Sequence, residues 1–174
     1  TLPDDAFEHL SSLGTLEISV NNLQLISQHL LAPLVNLHTI YLNVNQLNEI
    51  HADAFAHQRN LSFVNLNGNS LSSLPKGLFQ NNLNLRTLIA SNNFLRRIEG
   101  NIFGIHPLMS SIDISNSGVN EIDPRFFDSF TLLHSFDARN NPCAHIQIFD
   151  VSSNNFETDS SLNECFFNWF NPTS

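Results

Sequence analysis

Residues 61–79 read LSFVNLNGNSLSSLPKGLF, and this stretch decides the fold. Its apolar residues follow the spacing Leu-x-x-Leu-x-Leu-x-x-Asn-x-Leu, with Val64 in the second place. The same pattern opens six times at intervals of 24 residues, at Leu13, Leu37, Leu61, Leu85, Met109 and Leu133. A fixed period of about 20–29 residues is typical of a solenoid, in which each copy, here called a coil, stacks on the next.

Each coil contains a Leu-x-Leu segment in which apolar and other residues alternate, which predicts a short strand. Strands of successive coils are expected to pair into one parallel sheet. A column of polar residues follows them, at Asn21, Asn45, Asn69, Asn93, Ser117 and Asn141. An asparagine amide can bond to backbone groups that a turn would otherwise bury unpaired. Because a serine hydroxyl replaces only part of that bonding, we expect the fifth coil to be held less tightly.

A second apolar column lies in the other half of each coil and is mostly phenylalanine. Its members are Phe7, Leu31, Phe55, Phe79, Phe103 and Phe127. Stacked rings bury a large apolar area. We therefore assign these rings to the core and not to a ligand site.

The composition limits the classes of partner. The 174 residues suit one domain, and the formal net charge of −9 disfavours nucleic acid and anionic membranes. There is no nucleophile motif, Gly-rich phosphate loop or metal motif. His51, Asp53 and His57 are close in sequence, but they fall in an outer segment where solvated loop residues are common. We expect no enzymatic activity, no cofactor and no metal.

The two ends of the chain carry separate expectations. Leu2, Pro3 and Phe7 match Leu74, Pro75 and Phe79 in phase, so residues 1–12 are assigned to the remainder of a preceding repeat. No amino-terminal cap is apparent, which suggests a processed form, a fragment, or a first coil covered by a partner. Residues 13–143 are assigned to the six repeats, and residues 144–174 to a capping segment.

Two cysteines, Cys143 and Cys165, lie where the repeat ends. One disulfide closing a cap is the favoured interpretation, since that arrangement is typical of proteins exposed to oxidising compartments. The alternative is a pair of buried free thiols.

The repeat resembles the 24-residue class of leucine-rich repeat found in extracellular proteins and receptor ectodomains. This resemblance covers residues 1 to about 143. It implies an α/β fold, a right-handed solenoid with a curved parallel sheet on its concave face and few regular helices on the convex face. It also implies a secreted or extracellular protein that binds other proteins. The opening Asn141-Pro142-Cys143 keeps part of the class's usual cap, but the Trp and two of the cysteines are absent. In this reduced cap the chain resembles invertebrate secreted immune or adhesion repeat proteins.

The capping segment is ambiguous in sequence. Residues 146–156 reproduce the repeat spacing too soon for a full coil, which indicates a short strand or a helix, and the strand is favoured. Residues 160–170 are predicted to form a helix that presents four aromatic residues, Phe166, Phe167, Trp169 and Phe170. We expect most of these rings to seal the core, and any left exposed to form a patch suited to a partner or to a homodimer.

The functional surface is sought on the concave face, where residues between the core positions point to solvent. Tyr41, Phe63 and Ile89 are large residues on successive strands among small polar ones, and aromatic anchors carry much of the energy at protein interfaces. The alternative is that they are ordinary exposed apolar residues. The candidate partner-binding residues are Tyr41, Phe63, Asn65, Ile89, Asn43, Asn67, Asp113 and Asp137.

Two further expectations complete the functional hypothesis. Asn60-Leu61-Ser62 is a glycosylation sequon. The leading function is extracellular protein recognition, with innate immune recognition as its narrower form. The alternative is a structural or adhesive protein that self-associates through its aromatic carboxyl end or its uncapped first coil.

Overall fold

The structure is a computed structural model, and it describes residues 2–144, 147–149 and 162–171. A seven-stranded sheet is its main element, with the strands in the order β1 Thr15–Glu17, β3 Thr39–Tyr41, β5 Phe63–Asn65, β6 Thr87–Ile89, β8 Ser111–Asp113, β10 Ser135–Asp137 and β11 Gln147–Phe149. Every neighbouring pair from β1 to β10 is parallel and in register at 24-residue steps, as with Thr39 opposite Phe63. The predicted leucine-rich repeat solenoid is therefore confirmed.

The other half of the coils contains shorter elements. Two parallel pairs form there, β2 Leu25–Ile26 with β4 Glu49–Ile50, and β7 Arg97–Ile98 with β9 Glu121–Ile122. One 3₁₀ helix spans Pro124–Ser129, and one α-helix, α1, spans Asn163–Phe170. The coil is thus closed mainly by turns, which leaves the sheet as the one extended regular surface among the described residues.

The asparagine column bonds each coil to the one before it. Asn69 donates through Nδ2 to the carbonyls of Leu66 at 2.9 Å and Leu42 at 3.1 Å, and its Oδ1 accepts from Leu47 N–H at 3.0 Å. Asn45, Asn93 and Asn141 make the equivalent bonds. The predicted role of these amides is confirmed, since each satisfies three backbone groups on two coils.

Ser117 replaces that bonding only in part, as expected. Its hydroxyl donates to Ala90 O at 3.1 Å, the carbonyl one coil earlier. In the described part of the chain, it accepts no bond from Leu95 N–H, the position that corresponds to Leu71 in the Asn93 cluster. Within the described residues, Ser117 therefore makes only one of the three bonds, since it also makes none to Ile114 O, and the looser attachment of the fifth coil stays a prediction.

The residue before each member of this column has a left-handed backbone. Its φ lies between +52° and +66° in all six coils, at Val20, Val44, Gly68, Asn92, Asn116 and Asn140. Glycine and asparagine adopt this conformation readily, whereas a β-branched residue is strained in it. Val20 and Val44 are also exposed. The repeat geometry thus requires a left-handed backbone at this position, and in two of the six coils the residue there is a valine, which disfavours it.

The phenylalanine column stacks only in its middle part. Phe55, Phe79 and Phe103 form a near-parallel stack, with ring centroids 5.5 and 5.4 Å apart. Beyond Phe103 the contacts become edge-on, and Phe126 and Phe130 contact it instead of Phe127. The expectation that the stack reaches Phe127 is wrong, because Phe126 and Phe130 stand 24 residues after Ile102 and His106 and place two further rings against Phe103.

A buried polar column runs beside these rings. Gln58 donates to Leu31 O at 2.6 Å, and Asn82 donates to Phe55 O at 2.9 Å and Gln58 O at 2.8 Å. The next member is His106, which is also fully buried. Neither of its ring nitrogens makes a hydrogen bond with any described residue. Burial lowers the pKa of His106, although the nearby carbonyls of Gly104, Phe79 and Asn82 oppose this effect.

The described part of the capping segment contains one strand and one helix. β11 pairs antiparallel with β10, as expected for a short capping strand, while the rest of residues 146–156 lies outside the described residues. The structure joins Cys143 to Cys165 by a disulfide, with Cα atoms 4.9 Å apart. This bond fixes α1 to the end of the last coil.

Helix α1 turns fewer of its aromatic side chains toward the core than expected. Cys165 is its buried residue, Leu162 just before the helix is also buried, and Phe166 packs against Phe127 with centroids 6.3 Å apart. Phe167 and Phe170 are 65% and 72% exposed. The expectation that most of the four rings face the core is therefore wrong, because a helix of this length presents only one side to the solenoid end.

Candidate binding surface

Three rows of side chains cover the concave face, and the strand register aligns them. The first row is Thr15, Thr39, Phe63, Thr87, Ser111 and Ser135; the second is Glu17, Tyr41, Asn65, Ile89, Asp113 and Asp137. The third, just past the strands, is Ser19, Asn43, Asn67, Ser91, Ser115 and Arg139. The central residue of every parallel strand is buried, so these rows form the outer side of the sheet.

The large side chains predicted from sequence come together around Asn65. Tyr41 and Ile89 are its register partners on the two neighbouring strands, and Phe63 lies two residues before it on the same face. The rings of Tyr41 and Phe63 are in contact, with centroids 5.3 Å apart and planes tilted by 48°. All four residues are partly exposed. The result is an apolar and aromatic patch with an amide at its centre.

The asparagines on and beside this patch differ in which of their side-chain donors and acceptors are already hydrogen-bonded. Asn65 Oδ1 accepts from Asn67 N–H at 3.0 Å, and Asn67 Nδ2 donates to Ser91 Oγ at 2.8 Å. Within the described residues, Asn65 Nδ2 and the whole Asn43 carboxamide make no hydrogen bond. These groups can therefore bond to a ligand without breaking a bond inside the protein.

The two aspartates at the carboxyl-terminal side have different environments. Asp137 is buried and bonds to Arg139 through both side-chain oxygens, the shortest bond being 2.6 Å. Burial raises the pKa of Asp137, but the Arg139 hydrogen bonds outweigh it and hold the pKa below its usual range. Asp113 is partly exposed, and its Oδ1 accepts from Ser115 N–H at 2.9 Å. Of the two, only Asp113 presents its charge to solvent without an arginine bonded to it.

The surface has the features of a binding face. Groups of His, Cys, Asp and Glu that could hold a metal ion do not occur among the described residues. None of the helices in those residues has the length and apolar character needed to cross a membrane. The partly exposed rings of Tyr41 and Phe63, with Asn65 Nδ2 and the Asn43 carboxamide, can hold a ligand by burial and hydrogen bonding.

Comparison with known proteins agrees with this architecture. A family model described as "BspA type Leucine rich repeat region (6 copies)" matches residues 1–106 and 48–170. No curated protein matches the chain.

Two solved structures show the same fold. One is the crystal structure of a TLR13–ssRNA13 complex, with 21% identity and a TM-score of 0.71, covering 83% of this chain and 21% of that one. The other is the octameric complex of Latrophilin 3 (Lec, Olf), Unc5D (Ig, Ig2, TSP1) and FLRT2 (LRR), with 28% identity, a TM-score of 0.69 and coverage of 81% and 41%. The chain thus spans less than half the length of either matched protein.

Proposed function

The chain belongs to the BspA-type leucine-rich repeat family, and from that premise we propose that it is an extracellular recognition module whose concave face binds another protein. The observation that carries the proposal is the contact between the partly exposed rings of Tyr41 and Phe63, beside the Asn65 side chain whose Nδ2 makes no hydrogen bond within the described residues. Aromatic side chains surrounded by small polar residues are typical of the centre of a protein interface.

The charges of the concave face indicate which charges the partner's surface should carry. Glu17 and Asp113 stand in one row, four strand spacings apart, which corresponds to about 19 Å. The residues between them in that row, Tyr41, Asn65 and Ile89, are uncharged. A partner surface with apolar residues at its centre and Lys or Arg at both sides fits this pattern. The net charge of −9 favours the same partner and disfavours RNA, the ligand in the TLR13 complex.

The disulfide supports the extracellular location in this proposal. Cys143 and Cys165 are both buried and are the only cysteines of the chain. Disulfides persist in oxidising environments and are rare in the cytosol. Immune recognition is the finer form of this proposal, and it depends on the identity of the partner.

A direct test uses the chain as bait on an array of purified secreted and cell-surface proteins. We expect a partner whose binding is lost with Tyr41→Ser plus Phe63→Ser. A matched control is Phe94→Ser plus Ile105→Ser, which removes two exposed apolar side chains outside the three rows. Binding that survives the first variant, or is lost equally with both, contradicts the proposal.

Self-association is the second candidate function. It is favoured by Phe167 and Phe170, which are neighbours on one side of α1 and largely exposed. Light scattering over a range of concentrations tests it. A dimer that dissociates in Phe167→Ser plus Phe170→Ser supports assembly through α1, whereas a monomer near 19.6 kDa at all concentrations contradicts it.

A further inference from the structure

Three asparagines occupy the same place in successive coils, at the turn just before the strand. They are Asn36, Asn60 and Asn84, each 24 residues after the last. Asn36 Nδ2 donates to Ser11 O at 2.9 Å, and Asn84 Nδ2 donates to Arg59 O at 3.0 Å. In both cases the amide helps to attach its coil to the one before.

Asn60 differs from the other two. It is exposed, and its carboxamide makes no hydrogen bond with the residues that the structure describes. It is also the member of the column with a hydroxyl residue two places later, Ser62, where the others have His38 and Arg86. The acceptor sequence thus coincides with the one amide of the three that the stacking of the coils does not use.

A shallow cavity of about 280 Å³ is lined in part by Arg59, the residue before Asn60 in the chain. Its lining is Arg59, Gln80, Asn81, Leu83 and Asn84. Leu83 is 54% exposed and offers an apolar surface. The side chains of Arg59, Gln80 and Asn81 make no hydrogen bond within the described residues, so their donors are available. An apolar surface bordered by free amide and guanidinium donors suits a sugar ring, which presents C–H groups on its faces and hydroxyls around its edge.

We propose that Asn60 carries an N-linked glycan whose first sugars lie in this cavity. The inference rests on the extracellular function proposed above. The co-reactant is an oligosaccharide linked to a lipid pyrophosphate. A bond forms between Asn60 Nδ2 and the anomeric carbon, the bond from that carbon to the pyrophosphate oxygen breaks, and one Nδ2 proton is lost as the lipid pyrophosphate leaves. The reaction costs no hydrogen bond of the native coil.

The acceptor is tested by expressing the chain behind a cleavable secretion signal in eukaryotic cells. Mass spectrometry of the secreted protein should find the glycan on the Asn60 peptide. Asn60→Gln and Ser62→Ala should both abolish it, while Ser62→Thr should retain it. A secreted protein with unmodified Asn60 overturns the inference. Because the signal is supplied, that result leaves the extracellular proposal intact, whereas an intracellular location of the natural protein overturns the latter.

The docking of the first sugars is tested by stability. We expect the glycosylated chain to melt at a higher temperature than the same chain after enzymatic removal of the glycan. This difference should shrink in Leu83→Ser. The matched control is Leu132→Ser, at an exposed leucine that does not line the cavity. Equal melting temperatures with and without the glycan in the wild-type chain overturn the proposal that its first sugars lie in the cavity. That result does not affect the attachment at Asn60, which mass spectrometry tests separately.

Discussion

The Arg97 guanidinium lies over the indole of Trp169, 3.7 Å from the ring centroid. The same guanidinium bonds to Glu99 at 2.9 Å and Glu121 at 2.8 Å. Asn168 Nδ2 adds a bond to Asn120 O at 3.1 Å. One arginine of the fourth coil thus contacts both the fifth coil and α1, and the cap is held by polar and cation–π contacts as well as by the disulfide.

Replacing Trp169 should weaken the attachment of α1. We expect Trp169→Ala to lower the free energy of unfolding by about 1 kcal/mol, because a cation–π contact at a partly exposed site contributes about 0.5–1 kcal/mol and some burial is lost with it. Urea unfolding measures the change. Phe170→Ala is the control, since that ring is exposed, and an equal loss in both variants contradicts the role given to Trp169.

Removing the disulfide should have a larger effect. Cys143→Ser plus Cys165→Ser is expected to lower the free energy of unfolding by about 3 kcal/mol, the amount typical of a closed loop of this size. Equilibrium unfolding of the oxidised wild type and the double variant checks this value. The reduced wild type should resemble the variant; if reduction has no effect on the midpoint, the bond does not stabilise the cap.

The asparagine column predicts opposite results at two positions. Asn93→Ala removes three hydrogen bonds: it leaves Leu71 N–H without a partner, while Leu66 O and Ala90 O keep only the bonds from Asn69 and Ser117. We expect a loss of about 3 kcal/mol, about 1 kcal/mol for each bond. Ser117→Asn restores the missing acceptor and should add about 1 kcal/mol. Thermal and urea unfolding of both variants test the pair. A destabilising Ser117→Asn would show that the fifth coil has no room for the amide.

The strained valine predicts a stabilising substitution. Val44→Asn introduces the residue that three later coils use at the same φ and should stabilise the chain by about 1 kcal/mol, because a left-handed backbone costs an ordinary residue about 1–2 kcal/mol. Val35→Asn is the control, at an exposed valine outside the left-handed positions. Similar melting temperatures for wild type and Val44→Asn would contradict the strain.

Burial of His106 predicts a loss of stability in mild acid. The folded pKa is lowered, so the unfolded chain binds more protons at this residue. Its contribution is complete above the unfolded pKa of about 6.5 and is lost as the pH falls from there to the folded pKa. His106→Asn, the residue of the preceding coil, should reduce this slope. Urea midpoints from pH 8 to pH 5 measure it, and parallel curves for both proteins contradict the prediction.

Much of this fold was predictable because each coil of the repeat contacts only the coils next to it. The 24-residue spacing by itself identifies the buried centre of each strand, the asparagine turn and most of the phenylalanine column, since every coil meets the same neighbours. The spacing also contained signals that were missed: Gln58, Asn82 and His106 keep the same period, as do Val20 and Val44. They were missed because polar residues and exposed valines do not look like core or turn positions in a single coil.

The sequence by itself determined that the chain is a leucine-rich repeat solenoid and which residues of each strand face outwards. Only the tertiary structure decided how those residues combine. It placed Tyr41, Phe63 and Ile89 around Asn65 and paired Asp137 with Arg139. Among the described residues, it left the Asn60 amide without the hydrogen bond that Asn36 and Asn84 make. Periodicity fixes the direction of each side chain, whereas hydrogen bonding, ion pairing and ring contact depend on which side chains face each other across coils.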